Sequence, residues 1–193
     1  MDISKTGIGF MKKLLQIITA IILVVTITGC SSETKAGNRG NAANQVKLVN
    51  WRRPSETKPY PKITHANKRY IWVSIARQRV YIMSPDKRIL YTMYASTGKD
   101  NATPKGTFHI QQQRGNFFYN QRSKEGAHYW TSWKDHGVYL FHTVPTNAKG
   151  QYIKSEAKTL GIEPDSHGCI RLSIPDAKWI NRTVPVGTKV VIN

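Results

Sequence analysis

The chain has 193 residues, room for one globular domain of ordinary size plus an appendage. At 39% hydrophobic and 10% aromatic, it can fill a core, which excludes wholesale disorder. Lysine and arginine outnumber acids 29 to 11, a net +18 that favours anionic partners, and two cysteines are too few for a disulfide framework.

Near the start, Lys12 and Lys13 precede an apolar run from residue 14 to 27, broken only by Gln16, Thr19 and Thr26. A basic segment before a short apolar run has the layout of an export signal. It falls short of the ~20 residues of a comfortable membrane span, so an uncleaved anchor is the weaker reading. The run ends in Ile27-Thr28-Gly29-Cys30 and continues with Ser31 and Ser32, which resembles the lipobox of bacterial lipoproteins. That resemblance implies a signal peptide over residues 1–29, a lipid on Cys30, and a protein anchored at the outer face of the membrane, on the cell-wall side. The alternative makes Cys30 merely a small residue at a cleavage site. Met11 reads as the natural start of such a signal. Without residues 1–29 the chain keeps +16. An exported protein rarely meets DNA, so this surplus points to anionic wall polymers or anionic lipid rather than nucleic acid, or else serves solubility alone.

Residues 30–67 read as a tether and docking segment. The part up to residue 50 is polar and rich in Asn, Ala, Gly and Lys, as flexible linkers are. The part after it mixes prolines with Trp51 and Tyr60, aromatics suited to docking an extended segment onto a domain edge. Regular structure is expected from about Tyr70, within a domain over residues 68–193.

In that domain the period is two, with Ile71, Val73 and Ile75 on one face. A turn at 76–79 leads into a strand at 80–83, and Ser84-Pro85-Asp86-Lys87 turns the chain into a strand at 89–97. Residues 98–106 read as a loop and 107–110 as a strand. Residues 111–136 read as irregular, apart from a short strand at 128–133. A buried strand is expected at 138–142, then a long connection over 143–165. Ser173 is placed to cap a short helix with Ile180 facing inward, and Pro185-Val186-Gly187-Thr188 turns into a closing strand. The domain is therefore mainly β, with one short helix near its C-terminal end.

The chemistry concentrates in Ser166-His167-Gly168-Cys169-Ile170-Arg171-Leu172. An unpaired thiol on an exported protein is an oxidation liability unless it is used. A nearby imidazole or cation lowers a thiol's pKa toward neutrality, and His167 shares a face with Cys169 on an extended chain. Gly168 allows close approach of backbone to substrate and presents amide N–H groups to a developing oxyanion. His142, at the end of the expected strand, is the second candidate imidazole.

These residues resemble the L,D-transpeptidases of peptidoglycan, the YkuD-like catalytic domain. The family signature of a strand-end His, a loop and Ser/Thr-His-Gly-Cys stands here as His142 and Ser166-His167-Gly168-Cys169. Gln78-Arg79-Val80-Tyr81, Ser96-Thr97-Gly98 and Thr103-Pro104-Lys105-Gly106-Thr107-Phe108 match in order. The resemblance implies an L,D-transpeptidase-like β-sandwich with one short C-terminal helix. It implies no cofactor, no metal, and peptidoglycan stem peptides as partners. Cys169 would attack the carbonyl of the third stem residue and expel the terminal D-Ala. A neighbouring stem's amine would then resolve the thioester into a 3→3 cross-link. His142 would be the general base and acid, oriented by the Thr143 carbonyl. His167, Gly168 and Cys169 would shape the oxyanion hole beside Ser166. Arg171, where many members carry Asn and others Arg, would pair with a substrate carboxylate. The connection over 143–165 is longer than the family motif and would form a wall or lid of the donor pocket, with Tyr152 and Ile153 above the thiol.

Other readings remain open at this level. Water as acceptor makes an L,D-carboxypeptidase, and a fold without turnover makes a lipid-tethered wall-binding protein. Cys169, His142 and His167 are also zinc-type ligands, although a fourth is not evident. His65, His109, His128 and His136 read as surface or hydrogen-bonded side chains. Trp130 and Trp133 read as core rather than as sugar-stacking platforms.

Overall fold

Residues 48–193 are described by a computed structural model; the expected signal peptide, Cys30 and most of the tether lie outside the described residues. The expected period-two segments become β1 (Tyr70–Ser74), β2 (Arg79–Met83), β3 (Ile89–Ser96) and β4 (Gly106–His109). They are followed by β5 (Arg114–Asn120), β6 (Glu125–Lys134), β7 (Tyr139–Thr143) and β8 (Ile170–Leu172). A helix, α1 (Ile174–Thr183), and β9 (Lys189–Ile192) complete the domain. The strands form one nine-stranded sheet in the order β4-β9-β1-β2-β3-β8-β7-β6-β5.

The expected sandwich is this single sheet curled on itself. β3 is the shared strand: it pairs with β2 along most of its length and with β8 only through Ala95 and Ser96. Curling brings Phe108 of β4 edge-on to Trp133 of β6, with ring centroids 5.0 Å apart. Between the halves lie the inward residues of alternating strands, among them Ile71, Val73, Val80, Ile82, Phe141, Ile170 and Leu172, all sealed from water. Helix α1 closes this core with Ala177 and Ile180, and Ser173 caps it by accepting the Asp176 N–H at 3.2 Å.

Residues 111–136 are not irregular. They form the hairpin β5–β6, paired in register from Arg114↔Thr131 to Asn120↔Glu125. β5 is an edge strand with little buried side-chain surface, so its residues Arg-Gly-Asn-Phe-Phe-Tyr-Asn carry no period-two alternation to read. Its pairing depends on β6 instead. The strand expected at 138–142 begins one residue later, because Val138 is 63% exposed in the preceding turn.

Ordered structure also begins well before Tyr70. Trp51 is buried in a second small core with Val144, Ala157 and Leu160, and its carbonyl accepts the Ile174 N–H at 2.9 Å. Tyr60 stacks on Trp179 with centroids 5.0 Å apart. The Asp176 carboxylate accepts from Ser55 Oγ at 2.5 Å and from Tyr60 Oη at 2.6 Å. The aromatics of the docking segment hold it to the domain, and a carboxylate on the first turn of α1 fastens it.

Hydrogen bonds to a charged group contribute about 1.5–3 kcal/mol each, and part of that is recovered by solvation when the strap lifts. Asp176→Ala should therefore cost roughly 2–4 kcal/mol in urea unfolding and accelerate tryptic cleavage after Arg52 and Lys62, the strap's basic residues not followed by proline. Unchanged cleavage at those sites would show that Asp176 does not fasten the strap.

Candidate active site

The site is set by two adjacent parallel strands. β7 and β8 pair as Phe141↔Ile170, His142↔Arg171 and Thr143↔Leu172. Ile170 and Leu172 point into the core, so Arg171 and, two residues earlier, Cys169 project from the other face. His142 stands opposite Arg171 on that face, which makes the thiol its diagonal neighbour across the strands. Cys169, His142, Arg171, Ser166 and His167 all line one cavity of about 520 Å³.

His142 is buried, and its Nδ1 lies 2.6 Å from the Thr143 carbonyl oxygen. A carbonyl only accepts, so Nδ1 carries the proton and Nε2 keeps a free lone pair. Burial pushes the imidazole pKa down from 6.5 to about 4; the Thr143 carbonyl opposes this and the Arg171 charge adds to it. Cys169 is partly open at the cavity, yet protein surrounds the sulfur, which lies 3.5 Å from the Val138 carbonyl oxygen. Burial pushes its thiol up to about 11, while the Leu140 backbone and Arg171 pull it down and Glu125 pushes it up. The resting pair is therefore neutral thiol and neutral imidazole. Activation comes from a base poised to accept a proton, not from a standing thiolate.

The turn carrying the thiol is stitched down by the scattered motifs. Gln78 donates through Nε2 to Thr97 Oγ1 at 2.8 Å and accepts the Thr97 N–H at 2.7 Å. The Thr97 carbonyl receives the N–H groups of Asp165 and Ser166. Thr103 Oγ1 accepts the Gly98 N–H at 2.7 Å and donates to the Gly168 carbonyl at 3.0 Å. Gly168 has φ +130°, and a Cβ there would meet the Ala102 carbonyl at 2.9 Å. A Cβ on Gly98 would lie 2.8 Å from the Gly168 Cα. Both positions therefore demand glycine.

Several expected roles change. The Gly168 N–H, expected at the oxyanion hole, donates within the turn to Ser166 Oγ at 3.1 Å. Ser166 Oγ in turn donates to the Cys169 carbonyl at 2.5 Å, which makes Ser166 a brace of the turn. His167 is largely exposed at the mouth, with Nδ1 3.8 Å from Glu125. Arg171 is not available to a substrate carboxylate: its side chain is 2% exposed and held by Asp165 at 2.7 Å, Glu156 at 3.1 Å and Glu125 at 3.1 Å. A guanidinium sealed from water must be matched by anions of the protein itself.

The wall of the cavity is also not the one expected. Phe118, Asn120, Ser123, Glu125, Gly126 and Trp130 of the β5–β6 hairpin line it, opposite Val138, Tyr139 and Leu140. The connection over 143–165 turns away. Tyr152 packs on Trp51 and His128 rather than above the thiol, because Trp51 offers it an apolar surface to bury. The two tryptophans part company: Trp133 is core and Trp130 lines the cavity, as residues three apart in a strand face opposite sides. Glu125 and Phe118 escape sequence reasoning because the strands bearing them lack a pattern that marks a site, and Trp130, expected in the core, is found at the cavity instead.

A family model described as the L,D-transpeptidase catalytic domain, YkuD, matches residues 68–192. "Putative L,D-transpeptidase YciB" of Bacillus subtilis (strain 168) is 40% identical over 200 residues, covering 95% of this chain and 100% of that protein. L,D-transpeptidase 1 of Mycobacterium tuberculosis is 30% identical over 63% of this chain, which spans about half (49%) of that protein. Among solved structures, LD transpeptidase LdtMt1 in complex with imipenem aligns with a TM-score of 0.53 at 23% identity, over 65% of this chain and 59% of that one. An L,D-transpeptidase from Mycobacterium smegmatis aligns with a TM-score of 0.53 at 20% identity, over 65% and 58%. These two likenesses concern the fold. With the family model matching most of the chain and a 40% identical relative covered in full, the chain belongs to the L,D-transpeptidase (YkuD) family.

Proposed function

We propose that this chain is a cysteine-dependent L,D-transpeptidase that forms 3→3 peptidoglycan cross-links through a thioester on Cys169. The observation that carries the reading is one cavity in which a partly open thiol meets a buried imidazole with its Nδ1 proton fixed and its Nε2 free. Nε2 takes the Cys169 proton as the sulfur attacks the carbonyl of the third stem residue. The C–N bond to D-Ala breaks, and His142 returns the proton to the leaving amine. A neighbouring stem's amine then attacks the thioester and gives its proton to His142. The S–C bond breaks, and the sulfur recovers that proton. With the Gly168 N–H engaged, the Cys169 N–H is the donor proposed for the oxyanion, and His167 at the mouth is proposed to contact the incoming peptide. Water in place of the amine makes the carboxypeptidase reaction. The apolar wall of Phe118, Trp130 and Leu140 supports transfer, since it limits water near the thioester.

The lipid anchor on Cys30, the outer-face location and an affinity for anionic wall polymers belong to the same proposal and rest on the sequence. Cys30→Ser should move the protein out of the membrane fraction or leave it unprocessed, because stable attachment needs acyl chains contributing ~0.8 kcal/mol per buried methylene. Unchanged fractionation would favour an uncleaved anchor.

Incubation with a tetrapeptide stem should add the mass of the acylated tripeptide to the chain, and Cys169→Ala should fold and show neither adduct nor turnover. Turnover by purified Cys169→Ala would overturn the assignment. His142→Ala should lose roughly 10²–10⁴-fold in rate. The pH profile follows from the sign of the His142 shift. The imidazole works only when neutral, and it stays neutral down to about 4. Activity should therefore persist at pH 5.5, where an ordinary imidazole would be about 90% protonated. A half-maximum near 6.5 would remove His142 as the base. Stability should fall as pH drops from 6.5 through about 4, since the unfolded imidazole binds its proton first.

A further inference from the structure

Of the 11 acids in this basic chain, three converge on one side chain. Arg171 Nη1 donates to Asp165 at 2.7 Å and Glu156 at 3.1 Å, and Nη2 donates to both oxygens of Glu125 at 3.1 and 3.2 Å. These carboxylates come from separate segments: Glu125 from the start of β6, Glu156 and Asp165 from the connection after β7. Asp165 is itself held by Lys99 at 2.5 Å. Arg171 Nε is buried without an acceptor among the described residues, so the guanidinium is gripped only by its outer nitrogens. It stands directly opposite His142 in the strand register and two residues after Cys169.

We propose that Arg171 is a positioning residue: clamped by Glu125, Glu156 and Asp165, it fixes the strand that presents Cys169 and sets the charge field in which His142 takes the thiol proton. This rests on Cys169 and His142 being nucleophile and base. The charged and titratable groups around the pair are Arg171 from β8, Glu125 from β6, the Tyr139 phenol from β7 and His167 at the mouth. β5 contributes the uncharged Phe118, edge-on to His142 with centroids 5.7 Å apart. Glu156, Asp165 and Lys99 act from behind the guanidinium. The positive charge favours the thiolate and disfavours the imidazolium, and Glu125 opposes it at the sulfur. The protein thus carries a charge beside its reacting atoms that is tuned by three carboxylates, two behind the guanidinium and one, Glu125, at the cavity wall.

The test exploits the opposite signs. In full-length protein, iodoacetamide alkylation of Cys169 is followed across pH by peptide-resolved mass spectrometry, which separates it from Cys30. Arg171→Met should raise the titration midpoint of the thiol and slow alkylation at fixed pH, by ~10-fold for a midpoint one pH unit higher. Glu125→Gln should lower the midpoint and speed alkylation. In stem-peptide turnover, Arg171→Met should lower kcat with KM for the donor nearly unchanged and move the acid limb of the profile upward. Arg171→Lys should restore the limb but not the full rate, because an ammonium cannot span three carboxylates. Midpoints that shift in the same direction in both variants overturn the proposal. So does a rise in donor KM at constant kcat, the signature of a substrate ligand. If Arg171→Met does not fold, Glu125→Gln decides alone: a raised or unmoved midpoint overturns the proposal. Alkylation needs no peptidoglycan, so wild-type protein that forms no stem adduct would refute the proposed reaction while these midpoints still judge Arg171.

Discussion

A guanidinium almost sealed from water beside a nucleophile imposes the condition that organises this half of the molecule. Leaving it unpaired would cost several kcal/mol, so anions must be brought to it from wherever the chain can supply them. Glu125 arrives with the hairpin that walls the cavity, and Glu156 and Asp165 arrive with the connection. Three segments are therefore held in register by one side chain. The connection, in turn, rests on Trp51 through Val144, Ala157 and Leu160. The docking segment, which lies outside the residues matched by the family model, thus supports the site from two steps away.

The nucleophile turn is held by a different kind of force. Gln78, Thr97 and Thr103 spend their polar groups on backbone atoms of the turn or of the loop against it, and two glycines let the backbones touch. Such a lattice of buried hydrogen bonds tolerates little displacement, because each orphaned donor or acceptor would be left desolvated. Rigidity of this sort places a sulfur atom well, with braces drawn from segments far apart along the chain, Gln78 through Gly168.

Burial also dictates how the thiol can be activated. It disfavours both charged forms, so thiolate–imidazolium is not the resting state. The Thr143 carbonyl fixes the tautomer, and the proton moves when the substrate carbonyl arrives. A neutral resting thiol is also protected from oxidation, which attacks thiolate.

By itself the sequence determined the mainly β class, the strand positions up to residue 110, the Ser173 cap, the docking aromatics, and the Ser166–Cys169 string around the candidate thiol. Those features are written in local period, in capping chemistry or in a short string of residues. It did not determine the β5–β6 hairpin, whose edge strand is too little buried to show alternation. Nor did it reveal that the connection over 143–165 packs on Trp51 instead of covering the thiol. The role of Arg171 was the largest displacement: a fork suited to carboxylates is legible, but not whose carboxylates it meets. Glu125 lies 46 positions away along the chain, and only the strand order β8-β7-β6 brings it within 3.1 Å of the guanidinium. Local pattern reports what a residue can bind; tertiary structure decides, through the cost of burying an unmatched charge, which of those partners it gets.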